Sequence, residues 1–141
     1  SFTPGVLTEN TAYVLPLADA GTSGDALTSN ASGVLSWTTI SGGASWQAVI
    51  TADPANAVAG NGYFCNTTAS AFNVTLPTSA TIGDEISFVD YAGTFDTNNL
   101  TVARNSHNIQ GAAANLTVAV ERAAFTLVYV DATQGWLLKD K

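Results

Sequence analysis

Between Phe72 and Tyr91 two runs alternate with a period of two residues. Phe72, Val74 and Leu76 alternate with Asn73 and Thr75, and Ile86, Phe88 and Asp90 alternate with Ser87, Val89 and Tyr91. A period of two marks a strand with one face turned to a core. Pro77 ends the first run because it has no N–H to give to a ladder. Gly83-Asp84 is turn material just ahead of the second run. These two strands are expected at the centre of the fold.

The same alternation continues from Ser45 to the last residues, broken by clusters of Gly, Asn, Asp, Ser and Thr. It predicts strands at Trp46–Thr51, Tyr63–Thr67, Phe72–Leu76, Glu85–Tyr91, Asn99–Ala103, Leu116–Glu121, Phe125–Val130 and Trp136–Lys139, with a short piece at Asn108–Ile109. The last two strands read as a hairpin, with Trp136 in the core. No stretch sustains an apolar period of about 3.6 residues. Residues 45–141 are therefore expected to be an all-β head, an antiparallel β-sandwich of jelly-roll-like type. Asn73-Val74-Thr75-Leu76 recurs in kind as Asn99-Leu100-Thr101-Val102 and Asn115-Leu116-Thr117-Val118. The unequal spacing makes these similar strand starts, not a repeat array.

Residues 1–44 read differently, with apolar residues widely spaced among Gly, Ser and Thr. Tyr13–Pro16 suggests a short extended piece and Asp19–Gly24 a turn. Ala26–Thr28 and Val34–Ile40 suggest strands about a tight turn at Asn30–Gly33, and Ser41–Ala44 a flexible joint. This segment has too little apolar area to fold alone. It is expected to pack on the following domain or to combine with copies of itself from other chains, as a stem or collar. The opening SFTPGVL lacks the basic start of a signal peptide and reads as part of a longer chain.

Composition adds a constraint on the surface. Apolar residues make up 46 % but charged residues only 11 %, against about 25 % in ordinary globular proteins. The polar surface must then be Thr, Ser, Asn and Gly. A net charge of −7 with four Lys and Arg argues against nucleic acid as a partner and against anionic membrane. No apolar run approaches the roughly 20 residues that insertion in a bilayer needs.

Candidate chemistry is sparse. The one cysteine, Cys65, sits in the strand-like YFCNT and is expected in the core. The one histidine, His107, lies in the polar turn Arg104–Asn108 with no second His or Cys near it, a poor metal site. Asp90 and Asp96 flank YAGTF, but nothing in the spacing of the acids singles out a glycosidase pair. The Asn-x-Ser/Thr sites match a glycosylation pattern and read better as strand edges. No nucleotide-binding or hydrolase motif is present. The expectation is a non-enzymatic chain without cofactors. The remaining constellation is aromatic and amide. Tyr91 and Phe95 enclose Ala92-Gly93-Thr94, and Asp96 and Asn98 follow. Stacking on rings and paired hydrogen bonds hold sugars, whereas strand-end aromatics also turn inward to a core. Asn105 and His107, in the next polar loop, complete the candidate receptor contacts.

Two segments carry a resemblance. Tyr13-Val14-Leu15-Pro16, Gly21 to Asn30 and Ser32-Gly33-Val34-Leu35-Ser36-Trp37 resemble the Y-x-L-P … G-x-x-G-x-x-L-x-(T/S)-(N/D)-x-x-G-x-L-x-W module of bacteriophage tail-fibre proteins, most of all those of marine and cyanobacterial phages. Gly62-Tyr63-Phe64, Thr75-Leu76-Pro77, Ile82-Gly83-Asp84, Phe88 to Gly93, Asn98 to Thr101, Ile109-Gln110-Gly111, Leu127-Val128-Tyr129 and Gly135-Trp136 resemble, in that order, a β-rich domain of such fibres. The resemblance implies a virion surface protein, a homotrimer joined to other tail or capsid proteins. Its head loops would touch host polysaccharide or lipopolysaccharide. The alternatives are a capsid-associated decoration protein without receptor role and a polysaccharide depolymerase, for whose long β-helix this chain is short.

Overall fold

A computed structural model of the chain describes residues 16, 18, 20, 25–30, 32, 34–39 and 42–140. The chain divides into two compact units between Gly42 and Gly43. The expected extended piece at Tyr13–Leu15 and most of the expected turn at Asp19–Gly24 lie outside the described residues.

In the first unit, β1 (Asp25–Ser29) pairs antiparallel with β2 (Leu35–Thr39), Leu27 opposite Trp37. The turn between them is built by Asn30. Its Oδ1 accepts from the N–H groups of Ser32 (2.9 Å) and Val34 (3.0 Å), the local bonding that makes Asn a turn former. Thr28 and Thr38 join their hydroxyls across the pair at 2.7 Å. Leu27, Val34 and Trp37 are exposed.

The second unit holds β3 (Ser45–Trp46), β4 (Asn61–Cys65), β5 (Phe72–Thr75), β6 (Glu85–Asp90), β7 (Leu100–Ala103), β8 (Leu116–Val118), β9 (Ala124–Asp131) and β10 (Gly135–Asp140). No helix occurs among the described residues. Two sheets form, one in the order β3-β4-β6-β9-β10 and one in the order β5-β7-β8. The unit is an all-β sandwich, but its pairing is mixed. β3 with β4, β4 with β6 and β5 with β7 are parallel; β6 with β9, β9 with β10 and β7 with β8 are antiparallel. The parallel ladders set it apart from the all-antiparallel order of a jelly roll. They arise because the chain winds. It runs from β4 in the larger sheet to β5 in the smaller, returns as β6 beside β4, and crosses again as β7 beside β5. The loop before β4 joins this winding, since the Ala57 N–H donates to the Thr75 carbonyl at 2.7 Å.

The three Asn-x-Thr-containing motifs fall side by side on β5, β7 and β8. Asn73 lies opposite Thr101 and Thr101 opposite Thr117, so the polar positions share the outer face. Val74 lies opposite Val102, and both are fully buried. An even offset between strands keeps every residue on its own face, so motifs starting at Asn73 and Asn99 pair two residues out of step without exposing anything apolar.

The core lies between the sheets. Tyr63, Phe88 and Phe125 are register neighbours on β4, β6 and β9. Their rings stack at 6.0 and 5.2 Å. Ile86, Leu127 and Trp136 from the same sheet meet Val74, Leu76, Leu100 and Val102 from the other. Burying each such side chain stabilises by roughly 1.5–3 kcal/mol. Trp136 is fully buried, as its place in the final hairpin implied. That hairpin turns through Asp131, whose Oδ1 accepts from the Thr133 N–H (2.8 Å) and Gln134 N–H (2.7 Å). The pairing register shifts between Gly135 and Trp136, a bulge that a glycine at positive φ permits. Residues 108–111 run beside the start of β10, with Trp136 N–H donating to Asn108 O (2.9 Å) and Gln110 N–H to Trp136 O (2.8 Å).

Candidate functional site

Asp90 sits on the inward phase of β6, in line with Ile86 and Phe88, and is 3 % exposed. A carboxylate buried there must be compensated, and the compensation comes from four backbone N–H groups. Oδ1 accepts from Gly93 (2.9 Å) and Thr94 (3.1 Å), and Oδ2 from Phe95 (3.1 Å) and Arg122 (3.0 Å). Burial pushes the Asp90 carboxyl up, but the four donors outweigh it and hold the group below its usual range. Asp90 therefore fastens the 91–95 loop and the 120–123 turn to the end of β6. The Arg122 guanidinium crosses Gly93, where any Cβ would come within 2.5 Å of Nε, and donates from Nη1 to the Tyr91 carbonyl at 3.1 Å.

Cys65, opposite Asp90 on β4, is fully buried. Burial first, and the Asp90 charge second, push its thiol up to about 12. A thiol reacts as thiolate, so Cys65 is expected to stay unmodified by an aromatic disulfide reagent at pH 8 in the native state and to react fully once denaturant unfolds the chain. Native labelling at the rate of a free thiol would contradict this.

The six residues singled out as receptor contacts separate into two groups. Tyr91, Phe95, Asp96 and Asn98 precede β7, and Asn105 and His107 follow it. The four residues of β7 hold the two loops about 13 Å apart. Tyr91 is 53 % exposed, and Asp96 is also exposed. Phe95 is fully buried, because its N–H is drawn to Asp90 and the loop carries its ring inward. Asn98 donates from Nδ2 to Thr67 O at 3.0 Å, and Asn105 donates from Nδ2 to Leu76 O at 2.7 Å. His107 Nε2 lies 3.1 Å from Thr78 O, and the His107 ring packs edge-on against Tyr129 at 5.2 Å. These three polar side chains tie their loops to the segments that follow β4 and β5. Of the six, Tyr91 and Asp96 present their side chains to solvent. Arg122, which fixes Tyr91, was missed because its partner is a backbone carbonyl far away in sequence. Asp90 left a legible signal: an acid on the apolar phase of a strand has to find donors.

Three hollows among the described residues bear on function. One, of about 570 Å³, is lined by β8, residues 119–124, Phe125 and Leu138, and is chiefly apolar. A second, about 430 Å³, is walled by Gly43, Ala44, Ala59, Gly60, residues 83–85 and Ser87. The third, about 220 Å³, lies against Trp46, Ser87, Thr126 and Asp140. Among the described residues no group of three or more His, Cys, Asp and Glu side chains is placed to hold a metal ion, and no helix is long and apolar enough to cross a membrane. Compared with protein-family models and with curated proteins, the chain gives no match.

Proposed function

We propose that the chain is a structural protein of a bacteriophage virion, of tail-fibre type, that attaches to the host surface as a homotrimer. The observation that carries this reading is the β1–β2 hairpin. Two strands of five residues are too few to stand alone in water, yet Leu27 and Trp37 on them, and Val34 just before β2, are exposed. Copies of the hairpin from three chains would supply the missing layer. This is the segment whose residues resemble the fibre module. The head then offers three copies of each surface site on one body, and linked weak sites gain effective concentration. The surface chemistry suits such a role, with Asn73, Thr101 and Thr117 in place of charge on the outer face of the smaller sheet.

Light scattering on the purified chain is expected to give three times the 14.5 kDa monomer mass. A monomer across the micromolar range would overturn the trimer and with it the role given to the hairpin. Antibody labelling of virions then assigns the position, with label at the tail tip for a fibre and label over the capsid for a decoration protein.

A further inference from the structure

The third hollow has the composition of a ligand site. Trp46, Gly62, Ser87, Thr126 and Asp140 lie opposite one another across the five strands of the larger sheet. Residues in one register row share a face. The neighbouring row, Tyr63, Phe88 and Phe125, is in the core, so the Trp46 row faces outward. Trp46 is 48 % exposed, but its ring is held in place. It stacks on Phe64 at 4.7 Å and lies over Gly62, where an added Cβ would come within 2.5 Å of Cε3. Beside it the hydroxyls of Ser87 and Thr126 meet at 2.9 Å. One of the two gives its proton to the other, which leaves one donor and spare lone pairs for a ligand. Asp140, at the far end of the row, brings an exposed carboxylate, which only accepts.

We propose that this hollow binds one uncharged pyranose ring, with Trp46 beneath the apolar C–H face of the sugar and Ser87, Thr126 and Asp140 hydrogen-bonded to its hydroxyl edge. Three observations set the ligand class. The volume of about 220 Å³ is below the roughly 300–1,000 Å³ of drug-sized pockets, and suits a single ring. The lining holds a carboxylate and no Lys or Arg, which disfavours uronic acids, sialic acids and phosphorylated sugars. The platform is rigid before binding, so little side-chain freedom is lost on contact. Taking the sugar to be part of a host glycan rests on the attachment reading above; the site itself does not.

The test uses the full chain and NMR titration with methyl glucoside, methyl galactoside, methyl mannoside and methyl glucuronide. At least one neutral glycoside is expected to shift the signals of Trp46, Ser87, Thr126 and Asp140, and the glucuronide to bind more weakly. Trp46→Ala is expected to weaken binding about tenfold or more, which is about 1.4 kcal/mol. Gly62→Ala, which keeps the tryptophan but displaces its ring, is expected to do the same. Unchanged near-ultraviolet dichroism of the core aromatics would show that both variants fold. Absence of shifts with every neutral glycoside, shifts confined to the Tyr91–Asn98 loop, or a Trp46 ring shielded from acrylamide by a second copy would each overturn the site. Arrayed bacterial polysaccharides separate this from the attachment reading. Equal capture of wild type and Trp46→Ala overturns the site alone. Glycoside binding at Trp46 with no capture by any polysaccharide overturns host attachment and leaves the site standing.

Discussion

Asp90→Ala is expected to lower the stability of the sandwich unit by about 3–5 kcal/mol, read as the urea midpoint by core fluorescence. A buried donor left unpaired costs about 1–3 kcal/mol, and a hydrogen bond to a charged group is worth about 1.5–3. Here one carboxylate serves four donors from two segments. Water can reach part of the exposed loop once the side chain is gone, which brings the loss below the sum of four bonds. A unit of this size has about 5–15 kcal/mol in all, so the variant is marginal. Asp90→Asn is expected to rescue little. Its amide oxygen replaces one acceptor, but its NH₂ then faces either Gly93 and Thr94 or Phe95 and Arg122, donor against donor. An asparagine variant as stable as wild type would show that shape and not charge is what position 90 supplies.

The same group sets the response to acid. The folded-state carboxyl is held below its ordinary value, which is about 3.9 in an unfolded chain. Its contribution is therefore complete above about pH 4 and is lost as pH falls through the folded-state value. Urea midpoints of wild type are expected to drop below pH 4 faster than those of Asp90→Asn, which has no such group to protonate at that position. Parallel curves for the two proteins would remove Asp90 from the acid response.

Gly135→Ala is expected to cost about 3 kcal/mol or more, and to lower the thermal midpoint by more than about 10 °C for a unit of this size. Two effects combine. Gly135 has φ of +70°, and a Cβ there would lie 1.9 Å from the Asn108 carbonyl oxygen. Relief would require Asn108 to retreat, and that carbonyl accepts the Trp136 N–H at 2.9 Å. Retreat also drags Ile109, which is buried. Gly60→Ala is the comparison: φ is +86° but nothing lies within 4 Å, so only the backbone conformation is penalised, by about 1 kcal/mol. Gly135→Asn tolerates the φ angle better and keeps the collision, so it is expected to be no better than alanine. If the two glycine sites respond alike, the collision contributes nothing.

The class of the fold was legible because the strands of the sandwich each bury one face, and a period of two survives in the sequence wherever that happens. The pairing was not legible. Phe72, Val74 and Leu76 alternate in the same way whether the neighbour runs parallel or antiparallel, and only the winding through two sheets makes β7 their parallel partner. Four of the six candidate contacts are turned to other uses for a local reason. Phe95 among Asp, Asn and Thr has the composition of a sugar-binding loop, but the direction of its ring is decided by where its N–H goes, and that is Asp90. Asn98 and Asn105 are candidate contacts by composition, whereas each amide donates to a carbonyl about thirty residues away. Trp46 was read as the first residue of a strand of six. The strand has two residues and a further bridge at Ile50, and Trp46 pairs with Gly62 in a row that faces away from the core.

The winding also orders events on the ribosome. β6 pairs on one side with β4, made earlier, and on the other with β9, made more than thirty residues later. While the nascent chain ends anywhere before Ala124, β6 presents an open edge, Phe88 lacks the Phe125 ring, and until Arg122 is made Asp90 lacks its fourth donor. The coils of β4 to β7 pair in the order in which they are synthesised, but the larger sheet stays open beside β6 until β9 arrives. The decisive step in folding the head therefore waits for β9, and a ribosome stalled between β7 and β9 would hold a sticky sheet edge in reach of its neighbours on the same message.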